Sequence, residues 1–371
     1  MNFDFSEDQK LLQHTAREYL AEHAPLALCR EVLETDIPYA KDLWKGAAEM
    51  GWLGAAIPEE YGGAGFGHLE LAVIAEEVGR ALAPIPFGSS VYLATEALLV
   101  GGSAEQKQRL LPKLASGAAI GTFALVEKPG QNAVEGVETT FAEGQLRGSK
   151  GPVLDGDVAD FAVVAARGDG GVQLVIAELG GEGVERTPVT TFDPSRSAAN
   201  IHFDGTPAEL LGEAGDNSSL IDRVLDRAAV LTAFEQLGAA ERAFSITKEF
   251  IEGRYAFGRP VASFQAVKHR LADLWCEIQL ARSNAYYGAW ALSNEAPELD
   301  VAACISRIQA STSFDLTTIE MIELHGGVGF TWEYDCHLFY RRAKLLSAWL
   351  GTVASWRDKL VDRVEARESA A

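Results

Sequence analysis

The chain has 371 residues, 47% hydrophobic and 23% charged, so it is long enough for several packed layers or subdomains and too apolar to stay disordered. A formal net charge of −21 and a pI near 4.8 exclude non-specific binding to nucleic acid or anionic lipid, and a polyanionic ligand would need a local basic pocket. Four scattered cysteines (Cys29, Cys276, Cys304, Cys336) without a CxxC predict reduced thiols in a cytoplasmic protein and no metal site, and no apolar run reaches bilayer length. The start, Met-Asn-Phe-Asp-Phe-Ser-Glu-Asp, has no signal-peptide pattern.

Residues 6–117 read as mainly helical. Ser6 is a candidate N-cap, with Leu11, Leu12, Ala16 and Leu20 at helical spacing behind it. A second helix is expected from Ala40 to Met50. The glycine-dense stretch from Gly51 to Gly65 reads as a turn. Helix resumes near His68, with Leu71, Ile74, Ala75 and Val78 as its apolar stripe and Glu76 and Glu77 on the wet side. Two more helical turns follow around Ala104–Gly117. From about residue 118 to 215 the texture changes to short β-rich runs: Gly121–Val126, Phe161–Ala165, Val172–Ile176 and Asn200–Phe203. A small antiparallel barrel or sandwich is expected there. The cluster Asp216-Asn-Ser-Ser219 then reads as a cap for a long helix that buries one face. Three further helices complete a C-terminal four-helix bundle over 216–371. The predicted fold class is therefore α+β, in the order helical domain, β domain, helical bundle.

Several stretches carry the chemistry. Arg254-Tyr-Ala-Phe-Gly-Arg-Pro leads to Gln265, Glu323-Leu-His-Gly-Gly-Val-Gly329 follows a long helix, and Trp349-Leu-Gly-Thr352 lies near the end. With Trp52–Gly65, Glu76-Glu-Val-Gly-Arg80, Glu105-Gln-Lys, Leu111-Pro and Asp193-Pro-Ser-Arg196, they stand in an order that resembles the acyl-CoA dehydrogenase family over nearly the whole chain. That resemblance implies FAD as cofactor, an acyl-CoA thioester as substrate for α,β-desaturation, and electron-transfer flavoprotein as acceptor. It also implies that Arg254 and Gln265, with Phe257 beside them, grip the pyrophosphate of a neighbouring subunit's FAD. A guanidinium fork suits phosphate oxygens, and a Gly-Arg-Pro turn lets backbone approach them. The His325-Gly326-Gly327 loop, with Glu323 in place of the family's usual glutamine, corresponds to the loop that cradles the adenosine end, and Thr352, matching the Thr of the family's Tyr-Glu-Gly-Thr segment, is a further cofactor-binding candidate. The bland alternatives are a helix-end arginine completing the dipole at Arg254 and a C-capping histidine at His325. Arg341 and Arg342 are expected to serve the fold through salt bridges.

The departures from the family are equally specific. Its Thr-Glu-Pro-x-x-Gly-Ser-Asp segment falls here on Val126, Glu127, Asn132 and Ala133, of which only Glu127 matches. Its Trp-Ile-(Thr/Ser)-Asn wall is replaced by Pro152-Val-Leu-Asp155. The family's two base positions are Leu350 and Ala228, the latter 26 residues before Arg254, and neither can take a proton. Glu235, two turns or roughly 10 Å along the helix from Ala228, is a displaced-base candidate and otherwise a buried structural carboxylate. By that resemblance the chain is expected to be the base-lacking subunit of a heterotetramer, completed by a paralogous acyl-CoA dehydrogenase chain and acting in lipid or steroid side-chain degradation. The alternatives are a self-sufficient homo-oligomer using Glu235 and a non-catalytic scaffold.

Overall fold

Ser6 starts α1 (Glu7–His23) with a capping box: its hydroxyl accepts from the Gln9 amide at 3.2 Å, and the Gln9 side chain accepts from the Ser6 amide at 2.9 Å. The computed structural model, which describes residues 5–128 and 134–370, continues through α2 (Leu26–Glu34), α3 (Lys41–Glu49) and α4 (His68–Arg80). A π-helical stretch (Gly88–Thr95) runs into α5 (Glu96–Gly101), and α6 (Ala104–Ala115) is capped by Ser103 and Gln106 as α1 is by Ser6 and Gln9. The glycine-rich turn is irregular as expected, holding two short 3₁₀ turns. Neither α2 nor the Gly88–Gly101 run is anticipated from sequence. Pro25 and Pro86 stand just ahead of these two helical runs, where a missing N–H costs little.

The chain divides into two compact units, Met1–Glu31, Ala72–Ala83 and Ala229–Ala371 forming one, Val32–Leu71 and Pro84–Ala228 the other. In the first, the expected wet face of α4 is corrected: Glu76 and Glu77 are fully buried. The cause is a close crossing with α7 (Ser218–Gly253). A methyl group at Gly79 would overlap the Glu235 carbonyl, and one at Gly238 would overlap the Glu76 carbonyl. Backbones that touch leave no outlet to solvent for the neighbouring side chains. Arg17 binds Glu77 through Nε and Nη2 at 3.0 and 2.7 Å, Arg80 bridges Glu77, Glu76 and Glu241, and Arg282 reaches Glu76 and Glu241.

The rest of this unit is the bundle: α7, α8 (Gln265–Ser293), α9 (Leu299–His325), α10 (Cys336–Trp349) and α11 (Val353–Ala370). The expected fourth helix is two helices, parted at Gly351, whose φ of 97° ends α10. The one-faced reading of α7 also gives way, since residues 226–240 are buried on every side. Asp216 and Asn217 do not act as simple caps. Their side-chain oxygens accept from the amides of Val172 and Leu174 at 3.1 and 2.8 Å, stitching the start of α7 to a strand.

That strand belongs to the central sheet of the second unit: β1 (Gly121–Ala124), β2 (Thr140–Ala142), β3 (Gln145–Leu154), β4 (Phe161–Gly168), β5 (Gly171–Glu178), β6 (Val184–Pro188) and β7 (Ala198–Leu210). The hydrogen-bonded circuit β4–β2–β3–β7–β5 returns to β4, with β1 and β6 flanking. It is not wholly antiparallel: β1 and β2 both pair with β4 in parallel. The chain between β1 and β4 first builds the β2–β3 hairpin and then returns alongside β1, a crossover long enough for a parallel pair. β3 escapes the sequence reading because Gly148, Gly151 and Pro152 look like breaks; register shifts between Leu146 and Arg147 and between Lys150 and Val153 absorb them. Among the described residues no helix is long and apolar enough to cross a membrane.

Gly238→Ala is expected to destabilise the chain by about 3 kcal/mol, against a few tenths for an exposed helical change such as Ser245→Ala. Denaturant midpoints of the two variants check this.

Candidate functional site

The end of α7 and the start of α8 are joined by a hairpin, β8 (Tyr255–Ala256) with β9 (Arg259–Pro260). Its two-residue tip, Phe257-Gly258, has φ of 53° and 77°. Phenylalanine rarely adopts the left-handed region, yet here it does so as a residue 96% exposed. Arg254 lies at the hairpin's root, fixed by its amide to the Phe250 carbonyl at 2.9 Å and its own carbonyl to the Val261 amide at 2.7 Å. Its exposed guanidinium makes no ion pair among the described residues. Arg259, by contrast, lies 3.9 Å over the Phe264 ring. Gln265 opens α8, and Phe264 before it supplies no side-chain cap, so the positive end of α8 stays open to an anion.

The facing wall is the end of α9. The His325 ring stacks on Phe250 at 4.1 Å, and its Nδ1 donates to the Met321 carbonyl at 2.6 Å, which leaves Nε2 as an acceptor. Burial pushes the imidazole pKa down, only partly offset by that hydrogen bond. Gly326 has φ 64° and ψ −142°, a conformation for glycine, and a Cβ on Gly326 or Gly327 would meet open space. Gly329 has a different role, because a Cβ there would overlap the Ile322 carbonyl. Between the walls opens a pocket of about 480 Å³ that includes Phe250, Arg254, Val267, Arg270, Glu323 and the His325–Gly327 loop. Glu323 is exposed, 3.9 Å from Arg270.

The structure thus brings Arg254, Glu323, His325, Gly326 and Gly327 together. Phe257, Gln265 and Thr352 do not line the pocket: Phe257 stands at the hairpin tip, and Gln265 adjoins the lining residues Ala266 and Val267. Thr352 caps α11, its Oγ1 accepting from the Ser355 amide at 3.2 Å. Leu350 closes α10, and its carbonyl accepts from the Trp356 indole at 2.9 Å. Ala228 is fully buried within α7. Glu235 is fully buried too, 3.8 Å from the buried guanidinium of Arg342. Arg341 stacks near Trp332, its guanidinium 5.6 Å from the ring.

In the second unit, Glu127 is engaged within the protein. Its carboxylate takes the Lys150 ammonium at 2.6 Å and the amides of Glu138 and Thr139 at 2.8 and 2.9 Å. Burial lowers the Lys150 pKa to about 8, with Glu127 pulling the other way. Asp155 is buried against Arg196 at 2.8 Å and Ser89 at 2.5 Å. Asn132 and Ala133 lie outside the described residues.

The chain matches two family models, "Acyl-CoA dehydrogenase, N-terminal domain" over residues 6–118 and "Acyl-CoA dehydrogenase, C-terminal domain" over residues 219–364. It belongs to the acyl-CoA dehydrogenase family. Acyl-CoA dehydrogenase IpdE2 of Mycobacterium tuberculosis is 36% identical over 338 residues, 91% of each chain. Among solved structures, the Tcur3481-Tcur3483 steroid ACAD superimposes with a TM-score of 0.90 at 30% identity, over 98% of this chain and 99% of that one. The ChsE4-ChsE5 complex of Mycobacterium tuberculosis gives 0.88 at 26%, over 98% and 99%. Relative to the family motifs, sequence reading missed Phe250 and Arg270 as pocket walls. Phe250 could have been found, standing one helical turn before Arg254 on the same face. It also missed a buried cluster beside Ala228, in which Glu96 bonds to Arg227 at 2.5 Å and to His68 at 2.8 Å. Burial alone would push the Glu96 carboxyl up, but His68 and Arg227 hold it at about 2.

Because folding lowers the His325 pKa, the unfolded chain binds its proton first as pH falls. The His325 contribution to stability is complete above the unfolded value of about 6.5 and declines below it. His325→Gln is expected to flatten the acid side of the stability–pH curve below pH of about 6.5, measured by urea midpoints at each pH.

Proposed function

We propose that this chain is the base-lacking subunit of a heteromeric acyl-CoA dehydrogenase, giving the pyrophosphate and adenosine half-site to FAD held mainly by a paralogous partner. The observation that carries this reading is Arg254, an exposed guanidinium without an ion pair among the described residues, at the mouth of an open glycine-edged pocket. A diphosphate fits there: one guanidinium fork, the uncapped start of α8 and backbone at Gly326 that no side chain obstructs. The chain's own flavin side offers less. Glu127 is taken up by Lys150, and the family's aromatic wall is replaced by Pro152-Val-Leu-Asp155, whose carboxylate pairs with Arg196.

When bound, FAD supplies the acceptor for the hydride that leaves Cβ of an acyl-CoA thioester. A base must take the α-proton, and a desolvated carboxylate suits that task. Here both base positions are apolar and buried, Ala228 and Leu350. Glu235 is a weak substitute because it is fully buried, 3.8 Å from the Arg342 guanidinium and two helical turns from the family's base position at Ala228. The partner therefore supplies the flavin pocket and the catalytic carboxylate, and electron-transfer flavoprotein receives the electrons. The names of the similar proteins support the assembly and the substrate class. One is called a steroid ACAD and another is a complex of two named chains, so we infer a steroid side-chain or related lipid acyl-CoA as substrate.

Expressed alone, the chain is expected to be colourless; co-expressed with the paralogue, it should co-purify as a yellow complex that oxidises acyl-CoA. Stoichiometric FAD and turnover by the chain alone would overturn the reading in favour of a homo-oligomer. Complete absence of FAD from an intact co-purified complex would favour a scaffold. In the complex, Arg254→Gln should lower FAD affinity by roughly tenfold or more without dissociating the subunits, measured by flavin absorbance and gel filtration. Glu235→Gln should leave most of the turnover in place.

A further inference from the structure

A second pocket opens in the bundle-containing unit, between the α1–α2 corner, the C-terminal end of α4 and α7. Its volume is about 540 Å³, its apolar wall includes Leu20, Ala24, Leu26 and Ala81, and Arg17, Arg80 and Arg242 stand around it with a single carboxylate, Glu77. In a chain of net charge −21, three guanidiniums converging against one carboxylate are unusual. The carboxylate is already committed. Arg17 holds it through Nε and Nη2, and Arg80 adds Nε at 3.0 Å. Arg80 Nη2 is turned away to Glu76 and Glu241. These bonds hold both guanidiniums in place, and the Nη1 of each makes no bond among the described residues. Arg242 is exposed and has no ion pair among the described residues.

We propose that this pocket binds a small amphipathic carboxylate, with its hydrocarbon on the Leu20–Leu26 wall and its carboxylate on Arg242 and Arg17. The apolar wall disfavours a bare inorganic anion, which would leave it wet, and the guanidiniums disfavour a cation of the same shape. A pocket of this size with an apolar lining and a few fixed polar groups is typical of small-molecule sites. The proposal is independent of the flavin half-site, which uses Arg254 and the α9 end.

The test is isothermal titration of the purified protein, in the assembly in which it is isolated, with sodium octanoate, octylammonium chloride and inorganic phosphate as separate probes. Octanoate is expected to bind, with octylammonium and phosphate each at least about tenfold weaker. Arg242→Gln should weaken octanoate by about tenfold, and Ala21→Phe, which fills the pocket from an exposed position, should abolish binding. Neither variant should change the ligand-free melting temperature or the FAD content. No octanoate binding, binding unchanged in both variants, or equal binding of octylammonium or phosphate would overturn the proposal.

Discussion

Everything in the bundle-containing unit is arranged around the place where α4 and α7 touch. Gly79 and Gly238 face the opposing backbone, and their reciprocal contact brings two helices closer than any side chain would allow. Glu76, Glu77 and Glu235 flank that crossing and are buried by it. Buried carboxylates must be paired, so α1 contributes Arg17, α4 Arg80, α8 Arg282 and α10 Arg342. Burial alone would push Glu241 up, but Arg282 and Arg80 hold it below the ordinary carboxylate range. Such a network adds little net stability over an apolar core of the same volume, whereas loss of one partner costs about 3–5 kcal/mol. What it supplies is orientation: α4, α8 and α10 are tied to α7, and α1 to α4, at defined positions.

That fixation has a consequence at the other end of α7. Residues 226–240 are enclosed on all sides, while the helix continues to Gly253. At about 1.5 Å per residue, Arg254 stands roughly 20 Å beyond Glu241 on a continuous helical rod. The α8 start and the α9 end meet it there, and α8 and α9 are themselves packed along their lengths and joined to the network through Arg282. A pocket of about 480 Å³ is thereby held by elements anchored elsewhere, while Arg254, Arg270 and Glu323 at its edge remain exposed. Phe257 at the hairpin tip, with its ring uncovered and its backbone in the left-handed region, is the kind of local exception that a partner's surface would offset.

The sequence was most legible where the determinants are local. The Ser6 cap, the long helix after Ser219 and the glycine loop after His325 follow from spacing and local chemistry within a few residues. Legibility failed where the determinants are distant. Nothing within a turn of Glu76 tells that Arg282, 206 positions away, will bond to it, so a charged pair opposite an apolar stripe reads as solvated. The same holds for Lys150 and Glu127, and for Asp216 and Asn217, whose oxygens serve β5 and not the first turn of a helix. At Thr352 a motif position suggests a cofactor contact, and within this chain its hydroxyl caps α11.

The contrast between the two halves of the site can be argued from stability alone. Ala228 and Leu350 are buried, and an apolar residue at a buried position costs the fold nothing, whereas an unpaired glutamate there would cost several kcal/mol. The Glu127–Lys150 and Asp155–Arg196 pairs likewise satisfy groups that lie inside the β domain. Folding therefore accounts for the residues at the base and flavin-side positions. It does not account for Arg254, Gly327 or the exposed Phe257, which contribute no buried contact and whose replacement would leave the core untouched. A residue that the fold does not need, placed at an open anion-accepting corner, fits the half-site role proposed for this chain.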